Sequence, residues 1–327
     1  MHPAFSVIFL TTLIGLGQGL FLAIYTAQVY SVVELIPMTQ GDDRIVYGVG
    51  SIIALAVLGL GLVASFFHLG HPERAWRSVT QWRTSWLSRE VIALPLFMGS
   101  VFLYGLFHFM GWNPLLMTIG EGFPIDLTLV MGALATVMAF ILFLCTAMIY
   151  ASIRFLQEWS SPLTVLNFIL LGGASGFTLA TLFVFYAAPE LVGFIGGWAI
   201  VLTITALLSR MASLVRNRLL RPKSTPQSAI GVRHSTIRQI AQGAMGGSFN
   251  TREYFHGQPQ RVVKMVKWSF LLFVFPLPIL LLALGIIVQV ETLLIAAVVV
   301  QYLGLMAERW YFFAEANHPQ NIYYQAA

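Results

Sequence analysis

Eight apolar runs, each long enough to cross a bilayer, constrain this chain more than any other feature. A hydrocarbon core about 30 Å thick takes roughly 20 apolar residues per helix. Runs of that kind cover residues 5–33, 45–67, 91–112, 127–149, 165–187, 191–215, 268–288 and 292–307. In lipid, a spanning segment must satisfy its backbone groups internally, so runs of this length must be helices. The expected fold is therefore all-α: a polytopic membrane protein with eight transmembrane helices, forming a single integral membrane domain over 1–327. The count falls to seven if Pro276-Leu277-Pro278 turns the seventh run back on itself. Only 9% of residues are charged and 58% are apolar, against roughly 25% charged in a soluble domain. The first run has no basic leader and is too long for a signal-peptide core, so it is expected to stay in the mature protein. The single cysteine, Cys145, excludes a disulfide scaffold and any iron–sulfur cluster or cysteine zinc site held by this chain alone.

Charge gives the orientation. With the ends of the runs taken alternately, one side receives both termini and the 68–90, 150–162 and 216–267 loops. That side carries 17 of the 18 Lys and Arg residues with 6 acidic ones, and the other carries only Arg44 with 7 acidic ones. Basic residues stay inside, so both termini are expected in the cytoplasm of a bacterial inner membrane. The 216–267 loop supplies 10 of the 17, and the split without it is still 7 to 1. This asymmetry accounts for the net charge of +5 with no nucleic-acid partner. The 216–267 segment reads as a basic cytoplasmic loop, and its Gly243–Gly247 stretch has neither the Walker lysine nor the preceding strand of a phosphate cradle. Such a loop can attract anionic membrane lipid or dock a cytoplasmic partner through Arg233, Arg238 and Arg252.

Internal repetition is faint. Gly19-Leu20-Phe21-Leu22-Ala23 in the first run and Gly176-Phe177-Thr178-Leu179-Ala180 in the fifth share three identities in five positions. Both runs point the same way, as two four-helix halves require, although apolar composition explains the match about as well.

The densest polar cluster is His68-Leu69-Gly70-His71-Pro72-Glu73-Arg74-Ala75-Trp76-Arg77, followed by Trp82-Arg83-Thr84-Ser85-Trp86-Leu87-Ser88-Arg89-Glu90. Its Trp and Arg residues suit an interfacial belt, and Ser88 with Glu90 could cap a helix. Glu90 stands apart because it opens an apolar run, where an unpaired carboxylate is expensive and suggests a function. His68 closes the preceding run at the same depth. A carboxyl and an imidazole so placed can exchange protons with a redox ligand. Arg74 or Arg89 could stabilise a negatively charged ligand ring, and Trp76, Trp82 and Trp86 are candidates for packing it. No metal site is expected in this chain. A b-haem anchor would need two histidines facing each other at one depth, but His108 lies at the opposite end of the third run from His68 and His71. An eight-span transporter would place ionisable groups or broken helices near mid-membrane. The span centres are nearly free of charge, and Pro276 with Pro278 forms the one central break.

The segments His68–Trp76 and Leu87–Glu90 resemble the membrane-anchor subunits of the dimethyl sulfoxide reductase family. Those anchors have eight spans, a His-Leu-Gly-x-Pro-x-Arg-Ala-aromatic loop and a Ser-x-Glu element opening the third span. Glu308-Arg309-Trp310-Tyr311-Phe312 is similar to the family's closing segment, with altered spacing. The resemblance implies a haem-free anchor. It binds quinone (ubiquinone or menaquinone) near the membrane surface, with His68 and Glu90 matching the family's quinone-site positions. Electrons pass through a ferredoxin-like iron–sulfur subunit attached to a molybdopterin catalytic subunit, and both kinds of metal cofactor belong to those partners. The dimethyl sulfoxide reductase anchor presents this loop to the periplasm, whereas the charge split here turns it to the cytoplasm. That departure suggests the anchor of a sulfite dehydrogenase complex with cytoplasmic catalytic subunits, passing electrons from sulfite into quinone. An anchor oxidising quinol for a dimethyl sulfoxide-type reductase is the alternative. A reporter fused after Ala327 is expected to be active if it folds in the cytoplasm. Activity of a periplasm-dependent reporter there would reverse the orientation.

Overall fold

The computed structural model describes residues 1–36, 44–67, 69–119, 123–221, 225–237 and 254–319. Eight segments in it are long and apolar enough to cross a membrane. The first four are α1 (Phe5–Val32), a π-helical turn Arg44–Val49 running into α2 (Gly50–Phe66), α3 (Trp86–Met110) and α4 (Leu127–Ala151). Then come α5 (Pro162–Ala187) and α6 (Val192–Arg218), the latter entered through a 3-10 turn, Pro189–Leu191. A short helix, α7 (Pro226–Ile230), precedes α8 (Gln260–Val274) and α9 (Pro276–Val288), which together make the seventh span, and α10 (Glu291–Glu315) is the eighth. Among the described residues, the one departure from all-α is an antiparallel hairpin between α3 and α4, Leu115–Ile119 against Phe123–Asp126.

Helix α1 is the hub, packing against α2, α4, α5 and α10. Its crossing with α5 is a contact of backbones. Gly15 and Gly19 on α1 meet Gly172 and Gly176 on α5, and a Cβ added at Gly19 would overlap the Gly172 carbonyl oxygen. Small residues four apart on both helices permit such an approach, and in lipid close packing takes over the role that hydrophobic burial plays in water. The two glycines of the faint sequence repeat, Gly19 and Gly176, thus touch each other.

Polar side chains tie the bundle internally. Gln18 on α1 donates to the Ala139 carbonyl of α4 at 2.8 Å. Gln28 donates to the Thr128 hydroxyl and accepts from the Tyr104 hydroxyl. The seventh span does not turn back: it breaks at Phe275 and continues. Pro278 has no N–H for the Val274 carbonyl, and Gln301 of α10 donates to that carbonyl instead at 3.3 Å.

Two boundaries differ from the sequence reading. Helix α3 starts at Trp86 rather than 91, because the Ser85 side chain caps it by accepting from Ser88 N–H. Ser88 and Glu90 therefore lie within the helix instead of capping it. Helix α10 continues eight residues past 307, since Glu308 and Arg309 are paired inside the bundle and Tyr311, Phe312 and Phe313 are buried. Replacing Gly19 or Gly176 by Val should cost on the order of 1–3 kcal/mol or more, as overpacking does, and lower the thermal midpoint of detergent-solubilised protein. Gly59→Val and Gly99→Val, where no neighbouring atom lies within 4 Å of the added Cβ, should leave it nearly unchanged.

Candidate functional site

Glu90 is the fifth residue of α3 and only 7% exposed. Its Oε1 accepts a hydrogen bond from the Thr146 hydroxyl of α4 at 2.5 Å. No Lys, Arg or His among the described residues forms an ion pair with it. A buried carboxyl without a counter-cation is stable as the protonated acid or as a site that exchanges a proton. Its sequence neighbour Arg89 is engaged elsewhere: the guanidinium donates to the Trp82 and Arg83 carbonyls at 2.9 and 2.8 Å and stacks over the Trp86 ring. Arg89 thus clips the end of the preceding loop onto the helix start.

That loop is a 3-10 helix, Pro72–Gln81. Trp76 (67% exposed) and Trp82 (52%) face outward, each with an arginine, Arg77 or Arg83, over its ring. Trp86 is half-buried against the core. Arg74 sits on the surface 3.7 Å from Glu73, which also pairs with His71 at 3.0 Å. The structure therefore joins Glu90, Arg89 and Trp86 at the start of α3 and leaves Arg74, Trp76 and Trp82 on the surface. His68 lies outside the described residues, as do Arg238 and Arg252. Arg233 is described and exposed. His256 and His318 lie near α10, where burial lowers both imidazoles below their ordinary range.

The charge count assigns Arg210, Glu308, Arg309 and Glu315 to the loop-bearing side without bringing them together. The structure gathers them at the end of the bundle that carries the 68–90 loop, with Arg210, Glu308 and Arg309 buried and Glu315 half-buried. Arg210 Nε lies 2.8 Å from Glu308 Oε1, Arg309 Nε lies 3.1 Å from Glu308 Oε2, and Arg210 also reaches Glu315 at 3.7 Å. Aromatic faces complete the cage, with Arg309 over Phe168 at 3.9 Å and Arg210 over Phe270 at 5.5 Å. Two charges of each sign make the cluster neutral, which is how a low-dielectric interior can hold it. One signal was legible: Arg210 stood alone inside the apolar run 191–215, and an ionisable residue within a span points to a partner.

Larger spaces lie at both ends. An open apolar groove of about 560 Å³ runs between α4 and α5, lined by Met148, Ala151, Pro162, Val165 and Ile169, at the Thr146 end of α4. At the opposite end a cavity of about 320 Å³ is lined by Gln28, Arg44, Tyr47, His108, Asn113 and Asp126. The His108 ring packs on Tyr47 and Tyr104, each at 4.7 Å, and its buried Nε2 has no hydrogen-bond partner among the described residues. Glu308→Ala would leave two buried guanidinium groups without the carboxylate that bridges them. Removing one partner of a buried pair costs about 3–5 kcal/mol, and the thermal midpoint of the purified chain should fall accordingly. An unchanged midpoint would mean that water, rather than Glu308, balances the arginines.

Comparison with known proteins matches these features to one family. The model of the DMSO reductase anchor subunit (DmsC) matches residues 1–314. A sulfite dehydrogenase subunit of Allochromatium vinosum is 56% identical over 326 residues, covering 100% of this chain and 99% of the relative. A polypeptide of the anaerobic dimethyl sulfoxide reductase of Haemophilus influenzae is 30% identical over 128 residues, covering 39% of this chain and 42% of that protein. With eight spans and a match over nearly its whole length, the chain belongs to the DMSO reductase anchor subunit family.

Proposed function

We propose that this chain is the membrane anchor and quinone-reactive subunit of a sulfite-oxidising molybdoenzyme complex. A full-length relative named as a sulfite dehydrogenase subunit supports the substrate, and the 17-to-1 basic split supports catalytic subunits on the cytoplasmic side. The dimethyl sulfoxide-type alternative has a likeness over 39% of the chain behind it. Sulfite and water would yield sulfate, two protons and two electrons at a molybdopterin subunit. A ferredoxin-like iron–sulfur subunit would carry the electrons to the membrane, where quinone takes up two electrons and two protons to become quinol.

The observation that carries the quinone reading is Glu90, a buried carboxyl held by the Thr146 hydroxyl without a counter-cation. A quinone carbonyl being reduced needs a hydrogen-bond donor that then yields its proton, and a protonated carboxyl meets both needs. Thr146 fixes the Glu90 rotamer, and Arg89 fixes the loop above it through two backbone carbonyls. His68, one short loop away in sequence, is the proposed second donor. Trp76 and Trp82 supply exposed aromatic surface at the headgroup level, where a ring entering from lipid would first meet the protein. Arg74 is the surface cation beside that entry, while Arg233, Arg238 and Arg252 are the proposed contacts to the iron–sulfur partner.

Glu90→Gln preserves size and hydrogen bonding but removes the transferable proton. In membranes holding the intact complex, sulfite-dependent reduction of a short-chain quinone should fall at least about tenfold, or ~1.4 kcal/mol of barrier. Reduction of an artificial acceptor by the partner subunits bypasses this chain and should be unchanged. Normal quinone kinetics in this variant would remove Glu90 from the reaction.

A further inference from the structure

Two small cavities of mixed polar and apolar lining lie side by side beneath the end of the bundle that carries Glu90. The outer one, about 10 Å³, is lined by Asn167, Ser213, Arg210 and Glu308, and reaches the surface at the half-buried Glu158 and Asn217. The inner one, about 20 Å³, is lined by Thr12, Gln18, Ser175 and Thr146. Each has room for about one water molecule. Arg309 and Phe168 line both cavities and so form the wall between them. In the outer chamber the buried Asn167 Oδ1 has no hydrogen-bond partner among the described residues. Buried polar groups almost always bond to protein or to ordered water. Thr146 has two faces, since it lines the inner chamber and also donates to Glu90.

We propose that these two chambers hold water in series and form the route by which protons from the loop-bearing surface reach Glu90. The inference rests on the reading of Glu90 as a proton donor to quinone and adds the residues that resupply it. For each quinone reduced, two electrons arrive from the iron–sulfur partner and Glu90 gives up one of the two protons. The Thr146 hydroxyl then passes its own proton to the Glu90 carboxylate and takes one from the inner water, so neither group changes over a cycle. A proton enters the outer chamber at its Glu158 mouth and moves on that chamber's water past Glu308, which stays paired with Arg309 and Arg210. To reach the inner water it passes the Arg309 and Phe168 side chains that line both chambers.

The route is tested in the intact complex by comparing sulfite-dependent reduction of a short-chain quinone with that of the artificial acceptor. Asn167→Leu fills the outer chamber, and Thr146→Val removes the relay hydroxyl while keeping its shape. Each should slow quinone reduction at least about tenfold, within the range of general acid–base effects, with the artificial-acceptor rate retained. Thr146→Ser should restore the rate, which a mere packing defect would not predict. Each variant combined with Glu90→Gln should be no slower than Glu90→Gln alone, because groups in one path are not additive. If Asn167→Leu fails to assemble, Thr146→Val and its serine rescue decide. The route is overturned if Glu90→Gln slows quinone reduction but Thr146→Val does not, or if their effects multiply. Wild-type kinetics in Glu90→Gln would instead overturn the donor reading, and the route with it.

Discussion

The structure depends on the approach of α1 and α5 at Gly15, Gly19, Gly172 and Gly176. A β-carbon at Gly19 or Gly176 would hold the two backbones apart, and the helices gathered on them would follow. Helix α1 reaches α4 through Gln18 and the Ala139 carbonyl, while α5 carries Asn167 and Phe168 toward the arginines of α6 and α10. Separating α1 from α5 would therefore open the space between Thr146 and Arg309, which line the same water-sized cavity from α4 and α10. The charged end of the bundle is a consequence of packing at its centre.

Why four charges can lie beneath that end follows from their arrangement. An isolated guanidinium in a low-dielectric interior is prohibitive, and a pair is tolerable only with good geometry and further polar contacts. Here Glu308 bridges Arg210 and Arg309, Glu315 adds a second carboxylate, and aromatic rings cover the guanidinium faces. Glu90 lacks any such compensation beyond a single hydroxyl. Two kinds of buried acid thus share one end of the bundle: one locked in ion pairs, the other available for proton exchange.

Much of this was legible in the sequence because a bilayer imposes a length and an apolar content on every span. The eight spans, their order and the burial of Glu90 all follow from that constraint, and the 68–90 loop carried the family resemblance. Helix ends were less legible. Hydropathy ends the eighth span at 307 because Glu308 and Arg309 look like surface charges, and the pairing of Glu308 with Arg210 is a tertiary fact joining residues 98 positions apart. Likewise Ser85 starts α3 five residues before the apolar run begins, because a cap is set by a hydrogen bond and not by hydropathy. The glycine crossing was half visible: the repeat singled out Gly19 and Gly176 but gave no reason for them to touch.

The central claim is that quinone reacts at the end of the bundle carrying Glu90, and photo-crosslinking tests it most directly. Membranes containing the intact complex would be illuminated with an azido-substituted quinone, and the labelled peptides of this chain identified by mass spectrometry. The account predicts label within residues 68–90 and on the neighbouring end of α4, suppressed by excess unmodified quinone. Competable label confined to the opposite end, on the hairpin or around Arg44 and His108, would contradict it.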